Sequence, residues 1–313
     1  MQKPLLNGLK ELIPPNQSAN KWLAQLLGVD EATASRKFSG KTILKPEHIE
    51  KIVAHYPNLL HTLVPKKLQK EVLIGNYSYF SKPKDIETYL LKVKGVLELA
   101  LSKNLKLHYF ARDLPLFFFL ALPAIFRFKI AMWCNTVSIE NTAKAYPGLE
   151  ALAETVFQLY QQVPTEEIWY KNLINNQLFQ LDFYTSCGKM TPHKKKEILE
   201  AMRHVFYKAR DWAIDGKKDT GSYNLSISDY ALLNNGGLLK SKNQTLMLMT
   251  SLSSVFFVST QHPQTLKSFN AEYAFHKERA ISLANNNERN RYTFFKDIDN
   301  SLTNHSLITD PPA

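Results

Sequence analysis

The amino-acid sequence predicts a mainly α-helical protein with a small antiparallel β-sheet near its C-terminus. Apolar residues recur every three or four positions through much of the chain, which is the period of an amphipathic helix. Gly28 and Gly40 divide the N-terminal region into short helical segments. After Gly221 the apolar spacing shortens to alternation, which is typical of half-buried strands.

Composition narrows the class of protein. A chain of 313 residues with 44% hydrophobic content is long enough for one large or two ordinary domains. The formal net charge of +11 favours an acidic partner, such as nucleic acid or an anionic membrane. Cys134 and Cys187 lie far apart and outside any CxxC motif, so we expect neither a disulfide framework nor a structural zinc site. A reducing cytoplasm is the expected location.

No segment of the sequence predicts export or a membrane span. The N-terminal stretch "MQKPLLNGLKELIPPNQ" lacks the pattern of a secretory signal. The longest apolar run, Leu114 to Phe126, is shorter than the roughly 20 residues that a spanning helix needs, and it contains Pro123. This run predicts a buried pair of helices or one helix broken at the proline.

Short helices meet at a glycine corner near the N-terminus. Apolar residues recur at helical spacing in residues 20–27, and Gly28 suits the left-handed conformation that ends such a helix. Asp30 is placed to cap a second helix over residues 31–38. A third helix is predicted over residues 46–56, between two prolines. Together these segments predict a helix-turn-helix.

The residues within these helices resemble the lambda-repressor (XRE-type) family. The matching positions are Leu23, Ala24, Leu27, Gly28, Val29, Ala34, Phe38, Ser39 and Gly40. The resemblance covers roughly residues 5 to 65 and implies that the second helix enters the major groove of DNA. Lys37 departs from the family, which usually carries an apolar residue at that position.

The second helix and the loop after it supply hydrogen-bond donors for DNA. The candidate DNA-binding residues are Thr33, Ser35, Arg36, Lys37, Lys41 and Lys45. The first four are expected on outer surfaces of the helix, where they can reach base edges or phosphates, and Arg36 suits a base best. The two loop lysines are expected near the DNA backbone. An alternative that stays open is a helix-turn-helix used only for protein contacts.

A change in composition predicts a domain boundary near residue 75. Residues 63–85 combine prolines and a glycine with scattered lysines, which is typical of a linker. We therefore expect a DNA-binding domain at residues 1–75 and a mainly helical effector or dimerisation domain at residues 76–313. The first of these holds 11 Lys and Arg against 6 Asp and Glu, a net charge of +5. A stripe at helical spacing then predicts the next helix, and its members are Ile86, Leu90, Val93, Leu97 and Ala100.

A second resemblance extends into the C-terminal domain. The stretch Tyr109 to Pro115, with Phe128-Lys129 and Trp133, resembles a group of uncharacterised bacterial regulators that carry an N-terminal helix-turn-helix. That resemblance implies a class of protein and no ligand. Arg112 and Asp113 are interpreted as an ion pair at a helix start rather than as catalytic groups.

Residues 148–215 are predicted to continue as helices. Thr191 is placed to cap a long helix, yet His193 and the lysines at 194–196 put cations at the positive end of its dipole. An anion such as a DNA phosphate or a phosphorylated ligand would relieve this arrangement, and a solvated lysine run is the alternative interpretation. Strands are predicted beyond Gly221, in "YNLSISDYALLNN" and "TLMLMTSLSSVFFVST".

The sequence lacks the common signatures of enzymes. It has no Walker loop, no GxGxxG, no GxSxG and no HExxH, so we expect no enzyme, no cofactor and no bound metal. The prediction is a sequence-specific DNA-binding transcription regulator that acts as a homodimer on double-stranded DNA, with a second domain that dimerises or senses an unknown effector or protein partner. Two alternatives stay open: a protein-interaction adaptor with a vestigial helix-turn-helix, and an active site built from distant residues of the second domain.

Overall fold

A computed structural model describes most of the chain. The described residues are 2–10, 12–14, 17–64, 76–134, 139, 146–230, 234–242, 244–253 and 255–307. The chain separates into two compact units, one formed by residues 1–76 with 259–267 and the other by residues 77–258 with 268–313. Much of the predicted linker, residues 65–75, lies outside the described residues.

In the first unit, four helices and a 3-10 turn surround one apolar core. The helices are α1 (Gln2–Lys10), α2 (Ala19–Leu27), α3 (Glu31–Phe38) and α4 (Pro46–His55), and the 3-10 turn spans Pro57–Leu63. The buried side chains of this core are Leu5, Leu6, Leu9, Trp22, Leu23, Ala24, Leu27, Ala34, Phe38, Leu44, Ile52 and Leu59. The three helices predicted after residue 19 are confirmed, and α1 adds three leucines to the core that they share.

The corner between α2 and α3 is closed by backbone hydrogen bonds. Gly28 has φ 72° and ψ 44°, which is the left-handed conformation predicted for it. Its N–H and that of Val29 both donate to the carbonyl of Ala24, at 2.9 and 3.1 Å. Asp30 then caps α3, because its Oδ1 accepts the N–H of Thr33 at 2.8 Å. The corner therefore satisfies backbone groups that a helix end would otherwise leave unpaired.

The remaining described residues form a mixed β-sheet and the helices α5 to α12. The strands are β1 (Asn76–Tyr79), β2 (Lys106–Ala111), β3 (Thr165–Tyr170), β4 (Tyr223–Ser228), β5 (Gly236–Lys240), β6 (Thr245–Ser251), β7 (Phe256–Thr260) and β8 (Ile281–Ser282). The helices are α5 (Pro83–Ser102), α6 (Leu116–Leu120), α7 (Pro123–Cys134), α8 (Pro147–Gln162), α9 (Asn175–Ser186), α10 (Pro192–Asp215), α11 (Pro263–Arg279) and α12 (Glu288–Leu307).

The eight strands form one sheet in the order β1-β7-β6-β5-β2-β3-β4-β8. Strands β2 and β3 are parallel, and so are β3 and β4. The pairs β2–β5, β5–β6 and β4–β8 are antiparallel. Parallel neighbours need a long crossover connection. Accordingly, α6, α7 and α8 connect β2 to β3, and α9 and α10 connect β3 to β4.

The prediction of a small antiparallel sheet near the C-terminus is wrong. Three strands precede residue 171, and the adjacent strands β2, β3 and β4 are parallel. Strands β2 and β3 have six residues each and stand between helices. A segment this short gives too few apolar positions for its period to be read from sequence. Strand β3, "TEEIWY", also carries two glutamates, which in sequence indicate exposure rather than burial in a sheet.

The helices place a large aromatic core against one face of this sheet. The ring of Phe118 on α6 meets Trp169 on β3 edge-on, with centroids 5.3 Å apart, and Trp212 on α10 meets Tyr223 on β4 at 5.7 Å. The apolar run beginning at Leu114 forms the predicted pair of buried helices, α6 and α7. The predicted stripe of α5 is likewise buried in full. None of the described helices combines the length and apolar content needed to span a membrane.

Two glycines of the second unit test how tightly its backbone packs. A β-carbon at Gly221 would lie 2.6 Å from the carbonyl oxygens of Gln162 and Val163, whereas one at Gly95, on exposed α5 surface, would meet nothing within 4 Å. We expect Gly221→Ala to lower the free energy of unfolding by about 2 kcal/mol or more, because backbone atoms must move. Gly95→Ala should raise it by about 0.5–1 kcal/mol, since alanine favours a helix interior. Urea unfolding measures both changes, and a similar effect of the two substitutions would contradict the packing.

Candidate functional site

The short helix α3 is the candidate recognition element of the first unit. Its first turn is fixed by Asp30, whose Oδ1 accepts the N–H of Thr33 and whose Oδ2 accepts the Thr33 hydroxyl, each at 2.8 Å. The backbone hydrogen bond from Thr33 is the main cause that lowers the pKa of Asp30. The inner side of α3 packs Ala34 and Phe38 into the core. The helix is therefore held by its cap and by one apolar face, and its other face is open.

Arg36 lies on the open face of α3. Its side chain is exposed, and Nη2 donates to Thr33 Oγ1 at 3.3 Å. Within the described residues, no carboxylate forms an ion pair with this guanidinium. Thr33 and Ser35 are half-buried on the same helix. The guanidinium is thus held beside the helix by the Thr33 hydroxyl, which itself donates to Asp30, and the charge of Arg36 contributes to lowering the pKa of Asp30.

Lys37 does not take the exposed position expected of it. Only 5% of the residue is exposed, and its ammonium donates to the carbonyl of Ile43 at 3.1 Å. The aliphatic stem is therefore buried, and the ammonium is hydrogen-bonded to the following loop. Lys37 fixes that loop and cannot present its ammonium to a DNA base in this arrangement.

The loop after α3 exposes the two lysines that were predicted near the DNA backbone. Lys41 and Lys45 are both exposed, and the N–H of Lys41 donates to the carbonyl of Arg36 at 2.9 Å. The same loop carries Ile43, an apolar side chain that is 79% exposed. Arg36, Lys41 and Lys45 thus remain available as cations on α3 and the loop that follows it.

Lys51 is a structural residue of this unit that sequence analysis missed. It lies on α4, and its ammonium donates to the carbonyl of Leu27 at 2.8 Å. That carbonyl belongs to the last turn of α2, where intrahelical partners run out. The pairing ties α4 to the corner before α3. A lysine placed one helix away gives no local signal of this role in the sequence.

In the second unit, a fully buried carboxylate is held by aromatic donors. Glu167 accepts hydrogen bonds from the Tyr160 hydroxyl at 2.5 Å, the Trp169 indole N–H at 2.7 Å and the Tyr223 hydroxyl at 3.3 Å. Burial raises the pKa of Glu167, although these hydrogen bonds act in the opposite direction. The three donors come from α8, β3 and β4 and so join a helix to two strands.

Lys218 lies beside this carboxylate in the turn before β4. Its ammonium donates to the carbonyl of Tyr160 at 2.5 Å and to Thr165 Oγ1 at 2.6 Å, and it stands 3.5 Å from the centre of the Tyr160 ring. Burial lowers the pKa of Lys218 to about 7, against the opposing effect of the Glu167 charge. Glu167 and Lys218 are therefore both buried, and each is hydrogen-bonded to the partners named above.

A third buried group of polar side chains lies where β2 ends. Asp113 Oδ1 accepts the N–H of Leu114 at 2.7 Å and the side-chain amide of Gln177. Lys129 is also buried, and it donates to Gln180 Oε1 at 2.8 Å. Burial lowers the pKa of Lys129 to about 8, while the Asp113 charge acts in the opposite direction. The expected ion pair between Arg112 and Asp113 is replaced by these hydrogen bonds of Asp113.

The opposite face of the sheet carries a group that we call the Glu166 cluster. Its members are Lys106 and His108 on β2, Glu166 on β3, Lys240 on β5, and Tyr273 and Lys277 on α11. Glu166 is bound by the ammonium of Lys277 at 2.6 Å, that of Lys106 at 3.0 Å and the hydroxyl of Tyr273 at 3.1 Å. Burial opposes ionisation, but these hydrogen bonds and charges lower the pKa of Glu166 to about 2. It is a carboxylate at neutral pH.

The start of α10 and the two cysteines are the remaining sites considered in the sequence. Thr191 caps α10 as predicted, because its hydroxyl accepts the N–H of Lys194 at 3.2 Å. Two of the lysines that follow are paired: Lys194 with Glu197 and Lys195 with Asp182, each at 2.8 Å. Cys134 is buried and Cys187 is exposed. Within the described ranges, no group of three His, Cys, Asp or Glu side chains is arranged to hold a metal ion.

Lys218 makes the stability of the second unit depend on pH. Its pKa falls from 10.5 to about 7 on folding, so between these pH values the unfolded chain binds the additional proton. The free energy of unfolding should therefore rise between about pH 7 and pH 9, by up to about 1.4 kcal/mol per pH unit. Urea unfolding followed by tryptophan fluorescence measures this slope. Lys218→Met removes the titrating group, and a variant that kept the full slope would contradict the assignment.

Comparison with known proteins identifies no match from which a function could be transferred to this chain. No protein-family model matches the sequence, and the searches of curated proteins and of solved structures found no match either. The function must therefore be inferred from the geometry of the residues described above.

Proposed function

We propose that this protein is a sequence-specific DNA-binding transcription regulator whose helix α3 enters the major groove. The observation that carries the proposal is the arrangement around Gly28: two helices joined by a left-handed glycine, with an exposed Arg36 that has no carboxylate partner among the described residues. An arginine fork matches the two acceptors on a guanine edge. A helix presented in this way is the element that helix-turn-helix proteins insert into DNA.

The distribution of charge supports the same proposal. Residues 1–75 carry a net charge of +5 out of the +11 of the whole chain. Lys41 and Lys45 are exposed on the loop after α3, where cations add affinity through phosphates without reading sequence. Lys37 is left out of the proposed interface because its ammonium is bound to Ile43. Thr33 and Ser35 are proposed to contribute less to the interface than Arg36, because both are half-buried beside it.

A homodimer is part of the proposal. One short recognition helix buries little interface, and two copies on paired half-sites add their binding energies. The second unit is the part proposed to dimerise or to receive a signal. A cytoplasmic location agrees with a partner that is double-stranded DNA.

A protein-interaction adaptor is the second candidate, and the exposure of Ile43 favours it. This apolar side chain is 79% exposed in the loop that follows α3. A protein partner would bury it, whereas a DNA backbone would offer it little apolar contact. The two candidates therefore differ in what binds the face that carries α3.

Selection of DNA fragments by the purified full-length protein tests the proposal. Enriched and random duplexes are then titrated at several salt concentrations. Enrichment of a paired half-site, bound well above random DNA, supports a dimeric sequence reader. Equal and steeply salt-sensitive binding to all duplexes would mean that net charge alone explains the affinity, and the adaptor would then be favoured.

Arg36→Ala should remove base recognition. We expect the affinity for the selected duplex to fall by about 1–3 kcal/mol, while binding to random duplex changes much less, since the lost contact is to a base. The matched control is Arg289→Ala, which removes an exposed arginine at the start of α12. Fluorescence anisotropy measures both affinities. An equal loss for the selected and random duplexes would assign Arg36 to a phosphate instead.

Lys45→Ala should weaken binding without changing preference. Loss of one phosphate contact lowers the affinity for selected and random duplexes alike, and it reduces the slope of log K against log salt by about 1. Lys103→Ala, which removes an exposed lysine after α5, is the control for net charge. An unchanged salt slope would place Lys45 outside the interface.

A further inference from the structure

Two lysines stand directly opposite each other in the sheet. Lys106 on β2 pairs with Lys240 on β5 in the antiparallel register, so their side chains leave the same face of the sheet. Like charges at such a cross-strand pair are destabilising. His108, two residues after Lys106, leaves that face as well. The strand pairing therefore concentrates positive charge instead of dispersing it.

Helix α11 adds a further cation to the same place. Lys277 reaches Glu166 at 2.6 Å, and Lys106 binds the other oxygen of this carboxylate at 3.0 Å. Lys240 makes no ion pair within the described part of the chain, and its ammonium stands 4.9 Å from the centre of the Tyr273 ring. Burial lowers the pKa of Lys240, the charge of Glu166 acts in the opposite direction, and the charge of Lys277 lowers the pKa further. Glu166 thus pairs with Lys106 and Lys277, and it acts on Lys240 through its charge alone.

The histidine of the cluster, His108, adds no charge at neutral pH. Burial lowers the pKa of His108 to about 4, with a further contribution from Lys240, so the ring is neutral at neutral pH. Its Nδ1 is buried, lies 3.8 Å from Glu166 Oε1, and has no hydrogen-bond partner among the described residues. The other carboxylate nearby on α11, Glu272, lies 4.0 Å from His276 and is not bound to the lysines. The cluster therefore carries three positive charges and one negative charge. It also contains one ring nitrogen, that of His108, without a hydrogen bond among the described residues.

We propose that the Glu166 cluster is a binding site for an oxyanion, and specifically for the phosphate group of a small ligand. The anion would lie against Lys240 and Lys106, with Lys277 at the open side and the His108 ring nitrogen as an added donor. Lysine ammonium groups bind phosphate as point charges. The side chain of Lys277 is 56% exposed and that of Lys106 is 33% exposed, so the site can be reached from solvent. This proposal does not depend on DNA binding by the first unit.

Substitutions of Glu166 and of Lys240 should change the affinity for phosphate in opposite directions. In the unliganded chain it neutralises Lys106 and Lys277, so it competes with an incoming anion for the same ammonium groups. Removing its charge by Glu166→Gln should strengthen phosphate binding, while removing a cation by Lys240→Met should weaken it. Lys240 suits this test because the substitution breaks no ion pair of the described chain. A cluster that only held the sheet together would give no such opposite effects on a ligand.

The experiment is a titration of the full-length protein with inorganic phosphate by calorimetry, at constant ionic strength. We expect saturable binding that is about tenfold weaker in Lys240→Met and several-fold tighter in Glu166→Gln. Lys242→Met, which removes an exposed lysine two residues further along, is the matched control and should bind as the unchanged protein does. A second titration with phosphate is followed by NMR of the histidine rings. In it, the pKa of His108 should rise as the anion binds.

Further ligands distinguish the source of the phosphate. Adenosine monophosphate binding tighter than inorganic phosphate, with the same response to Lys240→Met, indicates phosphate carried on a nucleotide. Equal binding of both indicates the free anion, and either result supports the site.

Lack of saturable phosphate binding, or the same response to chloride, overturns the proposal. A Lys240→Met variant that binds phosphate normally overturns it too, as does an effect of Lys240→Met confined to duplex DNA, which would assign the cluster to the nucleic acid. If Glu166→Gln fails to fold, the comparison of Lys240→Met with Lys242→Met still decides.

Discussion

The second unit depends on the burial of one carboxylate. A buried charge without partners costs several kcal/mol, so Glu167 is compatible only with an arrangement that supplies its donors. Those donors are the hydroxyls of Tyr160 and Tyr223 and the indole of Trp169, and they come from α8, β4 and β3. Any packing that moved α8 away from the sheet would leave an acceptor and several donors unsatisfied. The carboxylate thus selects one position of the helix against the strands.

Glu166 and Glu167 show how a strand gives neighbouring residues opposite environments. Successive side chains leave opposite faces of a sheet. Glu167 enters the aromatic core and is satisfied by neutral donors, whereas Glu166 faces α11 and is bound by Lys106 and Lys277. The consequences for the pKa are opposite, because burial dominates at Glu167 and cations dominate at Glu166. One face is therefore a closed interior, and the other keeps an excess of positive charge near solvent.

A similar division separates Arg36 from Lys37 on α3. Lys37 turns inward and donates to the carbonyl of Ile43, so a lysine that was predicted to bind DNA instead holds a loop. Arg36 turns outward and keeps its guanidinium near Thr33. The rotation of α3 that buries Ala34 and Phe38 decides both outcomes, since side chains on a helix surface follow the face that the core requires.

The sequence by itself determined the elements whose signals are local. These elements are the glycine at the α2 corner, the Asp30 and Thr191 caps, the apolar stripe of α5 and Pro123, which begins α7. Each could be predicted because it acts within a few residues of its own position. Only the tertiary structure decided that β2, β3 and β4 are parallel, and which residues bind Glu166 and Glu167. Those partners come from elements distant in the chain, and a glutamate in a six-residue strand looks exposed until the tyrosines, tryptophan and lysines around it are brought together.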